Sequence, residues 1–111
     1  LRLQPSSFVA ANELAWLLAT HSSSKIRNPQ EALALATKAA ADAGIPNASI
    51  LDTLAAAQAA TGDFDAALNT VDQAIKLAKK SKDQKLLGDL QRRQGIYNQK
   101  RPYREIAPSR D

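Results

Sequence analysis

The stretch Leu51-Asp-Thr-Leu54-Ala55-Ala-Ala-Gln58-Ala-Ala-Thr-Gly62-Asp63-Phe64-Asp-Ala-Ala67-Leu68-Asn-Thr-Val71-Asp-Gln-Ala74-Ile75 places its large and small apolar residues where two antiparallel helices have to touch. Leu51, Leu54, Ala55 and Gln58 recur at helical spacing, and Ala67, Val71, Ala74 and Ile75 do so again after a break. Gly62 takes the positive φ that closes a helix, and Asp63 accepts a hydrogen bond from the free amides that open the next. The segment therefore spells helix, tight turn, helix. Ala55 and Ala67 let the two axes approach closely, because a leucine at either place would overpack the crossing.

The same order recurs upstream. Leu14, Ala15 and Leu18 stand for a first helix, and Ala32, Leu33, Ala36, Ala39 and Ala40 for a second. Ala32 and Ala67 are 35 positions apart, close to the roughly 34-residue period of one class of helical repeat. Ala15 and Ala55 are 40 apart, and the surplus falls in the loop 20–28, Thr-His-Ser-Ser-Ser-Lys-Ile-Arg-Asn. Asn28-Pro29-Gln30-Glu31 restarts a helix with a cap, a first-turn proline and a glutamate in the capping-box position. Gly44 and Pro46 end that helix, and Asn47 caps the next.

On these residues the chain resembles the tetratricopeptide (TPR) family, over roughly residues 8–100. Leu51 and Gln58 stand where the family pattern has bulky aromatics, so the copies are degenerate. The resemblance implies an all-α, TPR-type α-solenoid of about five antiparallel helices. Residues 1–5 are then a lead-in, 6–47 a first repeat, 48–82 a second, 83–100 a capping helix and 101–111 an extended or disordered tail. The last helix carries Leu86, Leu87, Leu90 and Tyr97 on one side and polar residues elsewhere, as the end of a stack requires.

At 111 residues and 44% hydrophobic the chain supports one domain, although about 22 of its residues are alanine, which favours helix but buries little area. Two repeats and a cap are fewer than stacking usually needs. That shortfall, together with the absence of methionine at residue 1 and elsewhere, leads to the expectation of a piece of a longer protein or of self-association through the N-terminal end. Zero cysteines exclude disulfides and thiolate metal sites, and they leave cytoplasmic and periplasmic locations equally open. No apolar run approaches the roughly 20 residues of a membrane span.

Charge is uneven. Residues 1–75 hold four Lys or Arg against seven Asp or Glu, and residues 76–111 hold eleven against four. Lys76, Lys79 and Lys80 complement a helix C-terminus and Arg92 and Arg93 solvate a cap; alternatively, the same residues form a patch for an acidic peptide, an anionic surface or nucleic acid. No nucleic-acid motif accompanies them. For catalysis the chain offers one histidine, no cysteine and no glycine-rich phosphate loop. His21 beside Ser22, Ser23 and Ser24 lacks an orienting third group and an oxyanion site, and the carboxylates read as caps and solvated faces. No metal-ligand spacing is present. The expectation is a protein that is not an enzyme and has no cofactor.

The resemblance also implies where a partner would bind, since a TPR stack presents the first helix of each pair on a concave side. Off the packing stripe these positions are Asn12, Glu13, Trp16, Ala19 and Thr20 in the first copy and Ser49, Asp52, Thr53, Ala56 and Ala60 in the second, extended by Lys85, Gly88 and Arg92 from the cap. Trp16, the sole tryptophan, is either a binding anchor or a ring packed under the loop 20–28 or on an absent neighbour. Some TPR domains grip a terminal carboxylate with lysine, asparagine and arginine; Trp16 and Asp52 do not supply the amide or cation that requires. Three functions follow as expectations. The first is a protein-interaction scaffold for a protein or peptide partner, the second an assembly cap of a longer array, and the third a basic nucleic-acid-binding module.

Overall fold

A computed structural model of the chain describes residues 7–105; the lead-in 1–5, with Ser6, and the tail from residue 106 onward lie outside the described residues. Each helix begins where a short polar side chain is free to take up an open amide. The side-chain oxygens of Ser7, Asn28, Asn47, Asp63 and Asp83 accept from the backbone N–H of Ala10, Glu31, Ile50, Ala66 and Leu86. Caps of this kind stabilise a helix by about 1 kcal/mol each. They open five helices: α1 (Phe8–Thr20), α2 (Pro29–Ala43), α3 (Ala48–Ala60), α4 (Phe64–Ser81) and α5 (Gln84–Asn98). Among the described residues there is no strand, and no helix is long and apolar enough to cross a membrane.

Helix ends are equally local. At the end of α3, Gly62 N–H donates to Ala59 O and Asp63 N–H to Gln58 O, with Gly62 at φ 93°. The same pair of bonds closes α4 and α5, but with lysines at the left-handed position, Lys82 at φ 61° and Lys100 at φ 58°. The loop 20–28 folds on itself. Arg27 Nη1 donates to His21 O and Ser22 O, His21 Nδ1 accepts from Ser23 N–H, and Asn28 N–H donates to Leu18 O.

Every helix packs on its neighbours in sequence, α1 also packs on α3 and α3 on α5, whereas α2 and α4 do not meet. The odd-numbered helices thus lie side by side, with α2 and α4 against them. Ala15, Ala32, Ala36, Ala39, Ala55, Ala67 and Ala74 have no exposed surface. Ala55 and Ala67 share one core cluster with Val71, Ile75, Leu90 and Tyr97. Leu14, Leu18, Leu51, Leu54 and Phe64 are only half-buried, because axes brought together over alanine leave the larger side chains to cover the flanks of the crossing. Gln58 accepts a 2.7 Å hydrogen bond from Thr70 Oγ1 and so ties α3 to α4.

Candidate functional site

The exposed side of α1, α3 and α5 gathers one polar and aromatic cluster. Arg93 of α5 reaches α3, where its Nη1 donates to Asp52 Oδ2 at 2.6 Å. Its guanidinium also lies 4.8 Å from the centre of the Trp16 ring on α1 and 4.7 Å from that of Tyr103. The two rings are 5.7 Å apart and inclined by 39°. A cation against two aromatic faces gains roughly 0.5–2 kcal/mol per face, the more as water is excluded.

Tyr103 arrives there because the chain reverses at Lys100, and Pro102 then prevents any return to helix. Residues 101–105 cross from the end of α5 to the end of α1 as an extended strap. Glu105 N–H donates to Thr20 O at 2.8 Å, and the indole Nε1–H of Trp16 donates to Glu105 Oε2 at 3.2 Å. Trp16 is therefore packed by the chain's own C-terminal segment, which is neither the loop 20–28 nor an absent neighbour.

The Asp52 and Arg93 side chains are only 10% and 13% exposed. Burial pushes the Asp52 carboxyl up to about 6, the loss of water outweighing the attraction of Arg93. Burial pulls Arg93 the other way, but the Asp52 charge, with help from Tyr103, overcomes it and holds the guanidinium above its ordinary value. Burial likewise raises the Tyr97 phenol, with Asp52 adding to the effect. Asp52 Oδ1, Arg93 Nε, Asn12 Oδ1 and the Tyr97 hydroxyl are buried without a hydrogen-bond partner. Orphaned buried polar atoms are rare, so four in one neighbourhood mark a region with bonding capacity to spare.

Two clefts flank the Trp16 cluster. One, of about 320 Å³, is lined by Asn12, Glu13, Trp16, Ser49, Asp52 and Thr53. The other, of about 670 Å³ between α5 and the strap, brings together Arg92, Arg93, Arg101 and Arg104 with Tyr103 and a single carboxylate, Asp89. Asp89 pairs with Arg92 and Lys85. Burial and the nearby Arg27 lower the Arg104 guanidinium.

Of the positions proposed from sequence, Asn12, Glu13, Trp16, Ser49, Asp52 and Thr53 thus converge on one cleft. Thr20 and Ala56 are fully covered, Thr20 bonding the Trp16 carbonyl through its hydroxyl, and Ala60 is half-buried. Lys85 and Arg92 are exposed on α5 and pair with Asp89, Arg92 at the larger cleft. Sequence reasoning missed Arg93, Tyr97, Tyr103 and Glu105 as members of the cluster. A signal for Arg93 was present, since Leu90, Arg93 and Tyr97 fall on one helical stripe and Leu90 and Tyr97 are wholly buried. Among the described residues no three His, Cys, Asp or Glu side chains converge as metal ligands would. No protein-family model matches the chain, and no curated protein or solved structure matches it either.

Proposed function

We propose that this chain is a non-catalytic scaffold of the TPR-like solenoid type, which holds a segment of a protein partner on the face formed by α1, α3 and α5. The observation that carries the reading is the strap: that face already holds an extended segment, residues 101–105, through a main-chain bond and an aromatic contact. The succession of helix hairpins, with α1 on α3 and α3 on α5, supports the solenoid reading, as do the buried alanines at matching places of the two copies. The 320 Å³ cleft beside Trp16 leaves room for a longer ligand than the strap.

The test is selection of a displayed random-peptide library on the full chain. Binders are expected to lose at least tenfold in affinity on Ser49→Arg, which blocks the cleft from an exposed position, and to ignore Asn69→Arg on α4. Binders indifferent to Ser49→Arg would remove the face from consideration.

A second reading, an assembly module within a longer helical array, is favoured by Val9 and Leu17, which stay 53% and 44% exposed on α1. Concentration-dependent mass in light scattering, abolished by Val9→Glu with Leu17→Glu, is its expected signature. A monomer at all concentrations would count against it.

A further inference from the structure

We infer that the Trp16 groove is a receptor for an extended segment bearing an aromatic side chain and, two residues later, a carboxylate, and that Arg101–Glu105 is its built-in competitor. This deepens the scaffold reading and rests on it. In an extended chain, residues two apart project to the same side. Tyr103 and Glu105 accordingly both engage the groove, the ring against Trp16 and Arg93 and the carboxylate on the indole N–H.

Nothing the strap contributes is peculiar to its being part of the same molecule. Its main-chain bond uses one amide, donated to Thr20 O in the last turn of α1, where helix carbonyls lack an internal partner. Any peptide can supply that amide. The receptor half, by contrast, is carried on helices: Trp16 and Thr20 on α1, and Arg93 on α5, held in place by Asp52. It stays assembled when the strap leaves. The carboxylate preference has a second source in α5 itself, whose Arg92 and Arg93 line the adjoining cleft beside a single lining carboxylate, Asp89.

The tether makes the strap a demanding competitor, because a short flexible linkage presents it at an effective concentration in the millimolar range. A ligand in trans prevails by adding contacts the strap does not make. The neighbouring cleft offers them, since Asn12 Oδ1 and Asp52 Oδ1 there are buried acceptors without donors. The groove therefore selects for a segment that reproduces the aromatic and the carboxylate and continues with a hydrogen-bond donor toward α3.

The sole tryptophan reports on the site directly. In the 111-residue chain, Tyr103→Ala with Glu105→Ala should red-shift Trp16 emission while leaving the far-ultraviolet circular dichroism unchanged. Glu105→Gln, which alters one exposed side chain, replaces the pair if that variant unfolds. Acetyl-Arg-Pro-Tyr-Arg-Glu-amide should then reverse the shift saturably, at least tenfold more tightly than it acts on the wild type, and Tyr→Ala or Glu→Gln in the peptide should abolish the reversal. Absence of a red shift in the variant, or of reversal at millimolar peptide, overturns the inference. So does strap exchange between wild-type copies, seen as a dimer that Tyr103→Ala dissolves, because the occupant is then a second copy. If library peptides of other chemistry bind while this probe does not, only the aromatic-carboxylate preference falls; if no peptide binds at all, the scaffold reading falls with it.

Discussion

Asp52 is where the cost of burial and the pull of its ion-pair partner oppose each other. Its carboxylate holds Arg93 under the two aromatic rings, yet it does so at 7% residue exposure, where charge is costly. Because its folded value of about 6 lies above the ordinary 3.8, the folded protein binds this proton more tightly than the unfolded chain does. The stability the group contributes is complete below about pH 4 and is lost as pH rises through about 6. Denaturant unfolding of wild type and Asp52→Asn should therefore diverge between pH 4 and 7, the wild type losing about 1–3 kcal/mol relative to the variant. Parallel curves would mean that Asp52 titrates in its ordinary range. From the sequence Asp52 was read as a candidate partner-binding residue, but its ion-pair partner was not legible, because Arg93 lies 41 positions away and nothing local joins them.

At the scale of the helix, starts and stops were the most legible features, since a cap is made by residues three apart and needs no tertiary partner. Ser7, Asn28, Asn47, Asp63 and Asp83 all act where such residues should. The turns are not equally well built. Gly62 adopts φ 93° freely, whereas Lys82 meets the same requirement at φ 61° with a side chain attached. Left-handed backbone costs a non-glycine residue roughly 1–2 kcal/mol, offset in part by the greater freedom glycine has when unfolded. Lys82→Gly should consequently raise stability by about 0.5–1 kcal/mol, read as a higher melting temperature. A lower one would show that the lysine side chain contributes more than its backbone conformation costs.

Across the whole molecule the core is uneven. Of the two clusters that join α1, α2 and α3, one has only alanines as its buried members, Ala15, Ala19, Ala32, Ala36, Ala56 and Ala57, and the other adds Ile50 to Ala11 and Ala39, whereas the α3–α4–α5 cluster includes Val71, Ile75, Leu90 and Tyr97. At about 0.8 kcal/mol per buried methylene, the α1–α2 hairpin opens more readily than the rest. Native-state hydrogen exchange should find its amides at least tenfold less protected than those of α3–α5, and uniform protection would refute the division. The strap spans both regions and acts against that difference by tying α5 to α1, two helices that otherwise meet through Arg93 on the Trp16 ring. Helical class, helix ends and the alanine crossings follow from the order of residues alone, because periodicity, capping and side-chain size act over a few positions. The convergence of Trp16, Asp52, Arg93 and Tyr103 exists only once the helices have stacked, because a site assembled from α1, α3, α5 and a returning segment is set by packing, which no single stretch of chain contains.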